Sequence, residues 1–108
     1  MDAMEDSEFN ALADAQLRRI EDAVEACGAD LDLEVKPGGV LELEFDDGSK
    51  IIINRHGAAR EIWVAARSGG YHFRPEGGRW LAARDGSELM AVIARCIGEQ
   101  SGRTVRFS

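Results

Sequence analysis

The sequence predicts an α+β fold, a two-layer α/β sandwich in which two helices pack on one face of a six-stranded antiparallel sheet (αββββββα). Three observations predict it. Apolar residues recur at helical spacing near the start and again near the end, they alternate strictly with polar ones in between, and tight-turn residues separate the alternating runs. Amphipathic helices on either side of a strand run bury their apolar stripes together by covering the same sheet face, which leaves the other face to solvent.

The first helix spans about Asp6 to Cys27. Phe9, Leu12, Ala13, Leu17, Ile20, Ala23, Val24 and Cys27 follow steps of three and four. Asp6 or Ser7 can cap its start, and Gly28 can end it. At 100° per residue, Asp14, Glu21, Asp22 and Glu25 fall on the opposite arc, with Arg18 among them.

The period then changes to two. Leu31, Leu33 and Val35 alternate with Asp32 and Glu34, giving a half-buried strand. After the turn Lys36-Pro37-Gly38-Gly39, Leu41, Leu43 and Phe45 alternate with Glu42 and Glu44. Asp46-Asp47-Gly48 turns the chain into Lys50–Asn54, which His56-Gly57-Ala58-Ala59 breaks. A fourth strand covers Glu61–Ala65, and Ser68-Gly69-Gly70 leads to Tyr71–Phe73, ended by Pro75. The sixth strand is Arg79–Ala82. Asp85-Gly86-Ser87 forms a turn and N-cap for a second helix, whose apolar face is Leu89, Val92, Ile93, Cys96 and Ile97. Residues 98–108 form an extended tail, with Val105 and Phe107 able to pack back. The reading is one domain over residues 1–108, without repeats or low-complexity segments.

Net charge narrows the functional classes. The chain carries −7, and the two halves differ: residues 1–50 hold 15 acids and four bases, residues 51–108 five acids and nine bases. The acidic half argues against nucleic acid and anionic membranes as partners and favours cations or a basic protein surface. No apolar run reaches bilayer length, and the start Met1-Asp2-Ala3-Met4-Glu5-Asp6 is unlike a secretory signal, so a cytoplasmic protein is expected. Cys27 and Cys96 lack any metal-ligand spacing and read as two small buried hydrophobes.

Carboxylates are hard ligands, suited to Fe²⁺, Fe³⁺, Mn²⁺, Ca²⁺ or Mg²⁺. Glu21 and Glu25 lie four apart on one helical face, so both can approach one ion, and Asp22 is beside them. Asp30, Asp32 and Glu34 follow on the loop and first strand. An edge position for that strand, next to the helix, would join these acids into one ridge. Such a site is exposed, water-rich and weak. The alternative is that the ridge is merely a solvated face.

Trp63 shares a strand face with Glu61, Ala65 and Arg67, which reads as the solvent face. It is then an exposed aromatic anchor for a protein partner, with Asn54 able to share its face. The alternative is that Trp63 only covers its neighbours. Tyr71, Phe73 and Trp80 read as structural. His56 and His72 read as incidental, being far apart in sequence. No nucleophile–base signature and no phosphate loop occurs, so the chain is not expected to be an enzyme.

Taken together, these segments resemble the frataxin family, in particular its bacterial branch. Asp6-Ser7-Glu8-Phe9, Leu12-Ala13-Asp14 and Ile20-Glu21-Asp22 are similar to the family's acidic first helix. Gly39-Val40-Leu41 and Gly48-Ser49-Lys50-Ile51-Ile52-Ile53-Asn54-Arg55 resemble its second and third strands. The most specific match is Ile62-Trp63-Val64-Ala65 followed by Gly69-Gly70-Tyr71-His72-Phe73, and Trp80 and Asp85-Gly86-Ser87 complete it.

The resemblance implies low-affinity binding of Fe²⁺ or Fe³⁺ through exposed acids, here Glu21, Asp22, Glu25, Asp30, Asp32 and Glu34. It implies docking on the cysteine desulfurase through that ridge and on the iron–sulfur scaffold protein through the sheet face around Asn54, Glu61 and Trp63. The expected role is an iron-responsive, monomeric regulator of cluster assembly. An iron store or ferroxidase, or an interaction module without a metal role, are the alternatives. Four positions depart from the family pattern. Ala26 and Gly28 thin the acids, Asn10 stands where some relatives have histidine, and Glu61 replaces a glutamine common on the sheet face.

Overall fold

The structure, a computed structural model, describes residues 5–107. The acidic start Met1-Asp2-Ala3-Met4, weighed above against a secretory signal, lies outside the described residues. The elements are α1 (Asp6–Ala26), β1 (Leu31–Lys36), β2 (Val40–Phe45), β3 (Lys50–His56), β4 (Glu61–Ala66), β5 (Gly69–Glu76), β6 (Arg79–Ala82) and α2 (Leu89–Ser101). The strands form one antiparallel sheet in sequence order, so the predicted α+β sandwich is the fold.

The core lies between the helices and one sheet face. Phe9, Ala13, Leu17, Ile20 and Val24 of α1 and Leu89, Val92, Ile93, Cys96 and Ile97 of α2 cover Leu41, Leu43, Ile51, Ile53, Ile62, Val64 and Phe73. Burying each large side chain of this set stabilises by about 1.5–3 kcal/mol before the entropy of ordering is charged. Phe9 meets Trp80 edge to face, with ring centroids 6.0 Å apart. Past the α1 C-cap at Cys27 the chain turns toward β1 at Gly28, whose φ of +79° is a left-handed position that suits a residue without Cβ.

Several boundaries differ from the sequence expectation, each for a local reason. The α1 N-cap is Glu5, in a reciprocal capping box with Glu8, so Asp6 and Ser7 are already helical. Leu12, placed above on the apolar face, is 46% exposed because it sits at the margin of the stripe. β3 continues two residues to His56. Pro75 lies inside β5 and does not end it. β4's pairing with β5 stops at Ile62 and Phe73, so at Pro75 the only neighbouring strand is β6, an edge-like position that tolerates a missing N–H. The α2 N-cap is Glu88, which accepts from the Ala91 amide, while Ser87 belongs to the preceding turn.

Cys96 is buried as expected. Cys27 is only partly buried, and its thiol donates to the Val24 carbonyl. Val105 and Phe107 of the tail pack against the core. No helix among the described residues is long and apolar enough to cross a membrane.

Candidate functional site

Paired residues in neighbouring strands share a face, so the register decides what the open side of the sheet presents. Asn54 pairs with Trp63, and Trp63 pairs with His72, which sets these three in one row across β3, β4 and β5. His56 and Glu61 pair one step further along on the same face. Asn54, Glu61 and Trp63 are thus brought together, as the sequence reading placed them.

Their surroundings correct three expectations. Glu61 was read as solvent-facing, yet it is 8% exposed. The Trp63 indole N–H donates to its Oε1 at 2.7 Å, Arg74 Nε donates to Oε2 at 3.0 Å, and these side chains cover it. Burial alone pushes the Glu61 carboxyl up, but the bonds from Trp63 and Arg74 outweigh it and hold the carboxyl below its ordinary range. Trp63, read as an exposed anchor, is half-buried. His56 stacks on one face of its indole at 3.8 Å between centroids, and His72 on the other at 4.3 Å. Arg67 leaves this face altogether, reaching Asp47 and the Glu99 carbonyl beyond the end of β4.

The two histidines are what the sequence reading missed. Their signal was in the turn lengths. A two-residue turn at Arg67-Ser68 pairs Ala66 with Gly69, and counting back from that pair sets Trp63 opposite His72.

The acids occupy the other end of the molecule. β1 is an edge strand, and α1 lies against β1 and β3 on the core side. Asp32 and Glu34, however, sit on the open face, opposite Glu44 and Glu42. Glu21, Asp22 and Glu25 sit on the solvent side of α1, so the six acids wrap around the β1 edge as a rim rather than forming one flat ridge. Glu42 is neutralised by Lys36 at 2.6 Å and Lys50 at 2.8 Å. The hydrogen bond from Lys36, then that from Lys50, holds its carboxyl down at about 2.

Asp32 and Glu44 have no such bond, Lys50 acting on Glu44 only through space, and they face each other directly and line a shallow depression with Asp30 and Asp46. Among the described residues, Glu21, Asp22, Glu25, Asp30, Asp32, Glu34, Glu44 and Asp46 make no ion pair. Nor do three carboxylates, imidazoles or thiols converge there into a group that could hold a metal ion.

This architecture, two helices on one face of a six-stranded antiparallel meander, is that of solved frataxins. The frataxin of Psychromonas ingrahamii superposes with a TM-score of 0.88 at 37% identity, covering 97% of this chain and 99% of that one. Trimeric frataxin from the yeast Saccharomyces cerevisiae, with a full-length N-terminus, gives 0.63 at 25% identity over 95% of this chain and 84% of that one. The family model described as a frataxin-like domain matches residues 2–103, and the chain belongs to the frataxin family. A relative in Dechloromonas aromatica, named iron-sulfur cluster assembly protein CyaY, is 58% identical over 102 residues, 94% of this chain and 97% of its own length. One of the same name in Cupriavidus taiwanensis is 50% identical over 110 residues, 99% of each.

Proposed function

We propose that the chain is an iron-binding regulator of iron–sulfur cluster assembly that docks on the cysteine desulfurase and the cluster scaffold and modulates cluster formation. Relatives at 50–58% identity that are named for this process support the assignment. The observation that carries the mechanism is the acidic rim, whose carboxylates make no ion pair among the described residues. Asp32 and Glu44 are like charges directly opposed on a sheet face, an arrangement that lowers stability unless a cation or a basic surface visits it. Glu21, Asp22, Glu25, Asp30 and Glu34 extend that rim around the β1 edge. Open carboxylates of this kind bind Fe²⁺ or Fe³⁺ weakly, and the same charge steers a basic desulfurase surface. The role needs no catalytic group, and a cytoplasmic monomer suffices for it.

The test is an anaerobic NMR titration of labelled protein, once with Fe²⁺ and once with the desulfurase. Shifts at Glu21, Asp22, Glu25 and residues 30–34 with both ligands are expected. Substituting Glu21→Lys, Asp22→Lys and Glu25→Lys together should abolish desulfurase binding in a folded protein. A folded triple variant that binds normally would sink the rim as the docking surface. The face around Asn54, Glu61 and Trp63 is assigned to the scaffold side, since its buried Glu61 holds an aromatic side chain in a fixed orientation.

A further inference from the structure

At the edge of the sheet opposite β1, the middle of α1 and the β5–β6 turn enclose a hollow of about 270 Å³. Leu12, Ala15, Gln16 and Arg19 supply the helical wall, because residues three, four and seven apart share one helix face. The other wall is the two-residue turn Gly77-Gly78, with φ of +56° and +83°, between the paired residues Glu76 and Arg79. Phe9 of α1 and Trp80 of β6, in edge-to-face contact, tie the two walls together. The hollow is thus built into the fold.

Three features of it go beyond what packing requires. Gln16 is 5% exposed, yet its side-chain amide bonds to no other residue among those described. No buried side-chain nitrogen or oxygen among the described residues is cut off from both a partner and solvent, so the Gln16 amide keeps an opening, and the hollow is that opening. Leu12 lines the same hollow and leaves its apolar side chain 46% exposed there. Arg19 and Arg79 also line it and make no ion pair among the described residues, although acids outnumber bases 20 to 13 in the chain. Glu76 is the third charged residue of the lining, and it pairs with neither arginine.

Together these features select a ligand. Two arginines less one glutamate leave a single positive charge, which matches a monoanion. Guanidinium groups suit the planar pair of oxygens of a carboxylate. The Gln16 amide adds a donor inside the hollow. Leu12, Ala15 and Trp80 suit an apolar body, and the volume lies at the small end of ligand sites, so one ring or a short alkyl chain fills it.

We propose that the hollow between α1 and the β5–β6 turn is a binding site for a small apolar monocarboxylate, an aryl- or alkyl-substituted acid. Arg19 and Arg79 hold the carboxylate, Gln16 donates to it, and the apolar body rests on Leu12 and Trp80. The site is separate from the acidic rim and from the Trp63 face, so it stands whichever surfaces the assembly partners use.

The experiment is an NMR titration of the labelled full chain with phenylacetate at fixed pH and ionic strength. Phenylacetamide, which keeps the ring without the charge, and acetate, which keeps the charge without the ring, are titrated beside it. Phenylacetate should give saturable shifts at the Gln16 side-chain amide, the Trp80 indole N–H and residues 76–79, with a dissociation constant in the millimolar range expected for so small a ligand. The Trp63 indole N–H, bonded to Glu61, should stay still. Phenylacetamide and acetate should each bind roughly fivefold more weakly or worse. Arg19→Gln and Arg79→Gln together change two exposed side chains, so the double variant should keep its dispersed spectrum and bind phenylacetate no better than the parent binds phenylacetamide. A folded double variant that binds phenylacetate as the parent does overturns the proposal. So does equal affinity for phenylacetamide or for acetate, and so do shifts that never saturate or that spread over the whole surface.

Discussion

The Trp63 indole N–H donates to Glu61 Oε1 at 2.7 Å, between side chains two residues apart on the same face of β4. A tryptophan and a carboxylate at that spacing lie on one side of a pleated strand, so the bond is local. Its effect is not, because Arg74 of β5 binds the other carboxylate oxygen and His72 lies near the first. Glu61 therefore ties β4 to β5 and fixes the indole between its two imidazoles.

Replacing Glu61 by leucine keeps the bulk and removes both bonds. The indole N–H then loses its acceptor, and the domain should lose about 1–2 kcal/mol. Gln restores an acceptor for the indole and should recover most of that loss. Chemical denaturation gives the stabilities, and the Trp63 emission maximum reports the freed indole. Equal losses for Leu and Gln would show that charge, rather than the indole bond, is what Glu61 supplies.

Glu42 provides a pH test with a definite sign. Its folded-state carboxyl is held down at about 2, against an ordinary value of 4.5, by Lys36 and then Lys50. A depressed carboxyl stabilises the fold fully above pH 4.5 and loses that contribution as pH falls toward about 2. Glu42→Gln should therefore melt below the parent chain at pH 6, with the gap closing as the solution is acidified through this window. A gap in melting temperature that stays constant to pH 2 would rule out the Lys36 and Lys50 bonds as its source.

The tail gives a ranking. Phe107 is partly buried against the core, whereas Phe73 is completely buried. Phe107→Ala should cost about 1–2 kcal/mol and Phe73→Ala about 3–5 kcal/mol, measured by the same denaturation curves. A Phe107→Ala variant with parent stability would mean that the tail contact contributes nothing.

These cases show where the sequence was legible. Helices and strands could be read because burial imposes periods of 3.6 and two on residues such as Phe9, Leu17 and Ile20 or Leu41, Leu43 and Phe45. The acids of the rim could be named, since they are dense in sequence. Their arrangement could not, because which carboxylates oppose Asp32 and Glu34 is set only once β1 is paired with β2. The ring column is a matter of register alone: His56, Trp63 and His72 come from three strands, and single-strand alternation is silent about neighbours across the sheet. Alternation also misjudged Glu61, since an open face is not uniformly solvated when a tryptophan and an arginine lie over it.

The acidic rim makes its own prediction about stability. Asp32 and Glu44 oppose each other without an ion pair, while Lys50, which pairs with Glu44 in register, bonds Glu42 and reaches Glu44 only through space. Asp32→Asn removes the repulsion and keeps the shape, so it should raise stability by roughly 0.2–1 kcal/mol at low ionic strength. The gain should shrink in salt, because an exposed pair is screened within about 10 Å at 0.1 M. The same substitution should weaken Fe²⁺ binding in the anaerobic titration. A variant that is stabler but binds iron less well is the pattern expected of a charge kept for a ligand at the expense of the fold. Unchanged iron binding in a stabilised Asp32→Asn would move the metal site to the α1 acids, and unchanged stability at low salt would mean that solvent already screens the pair.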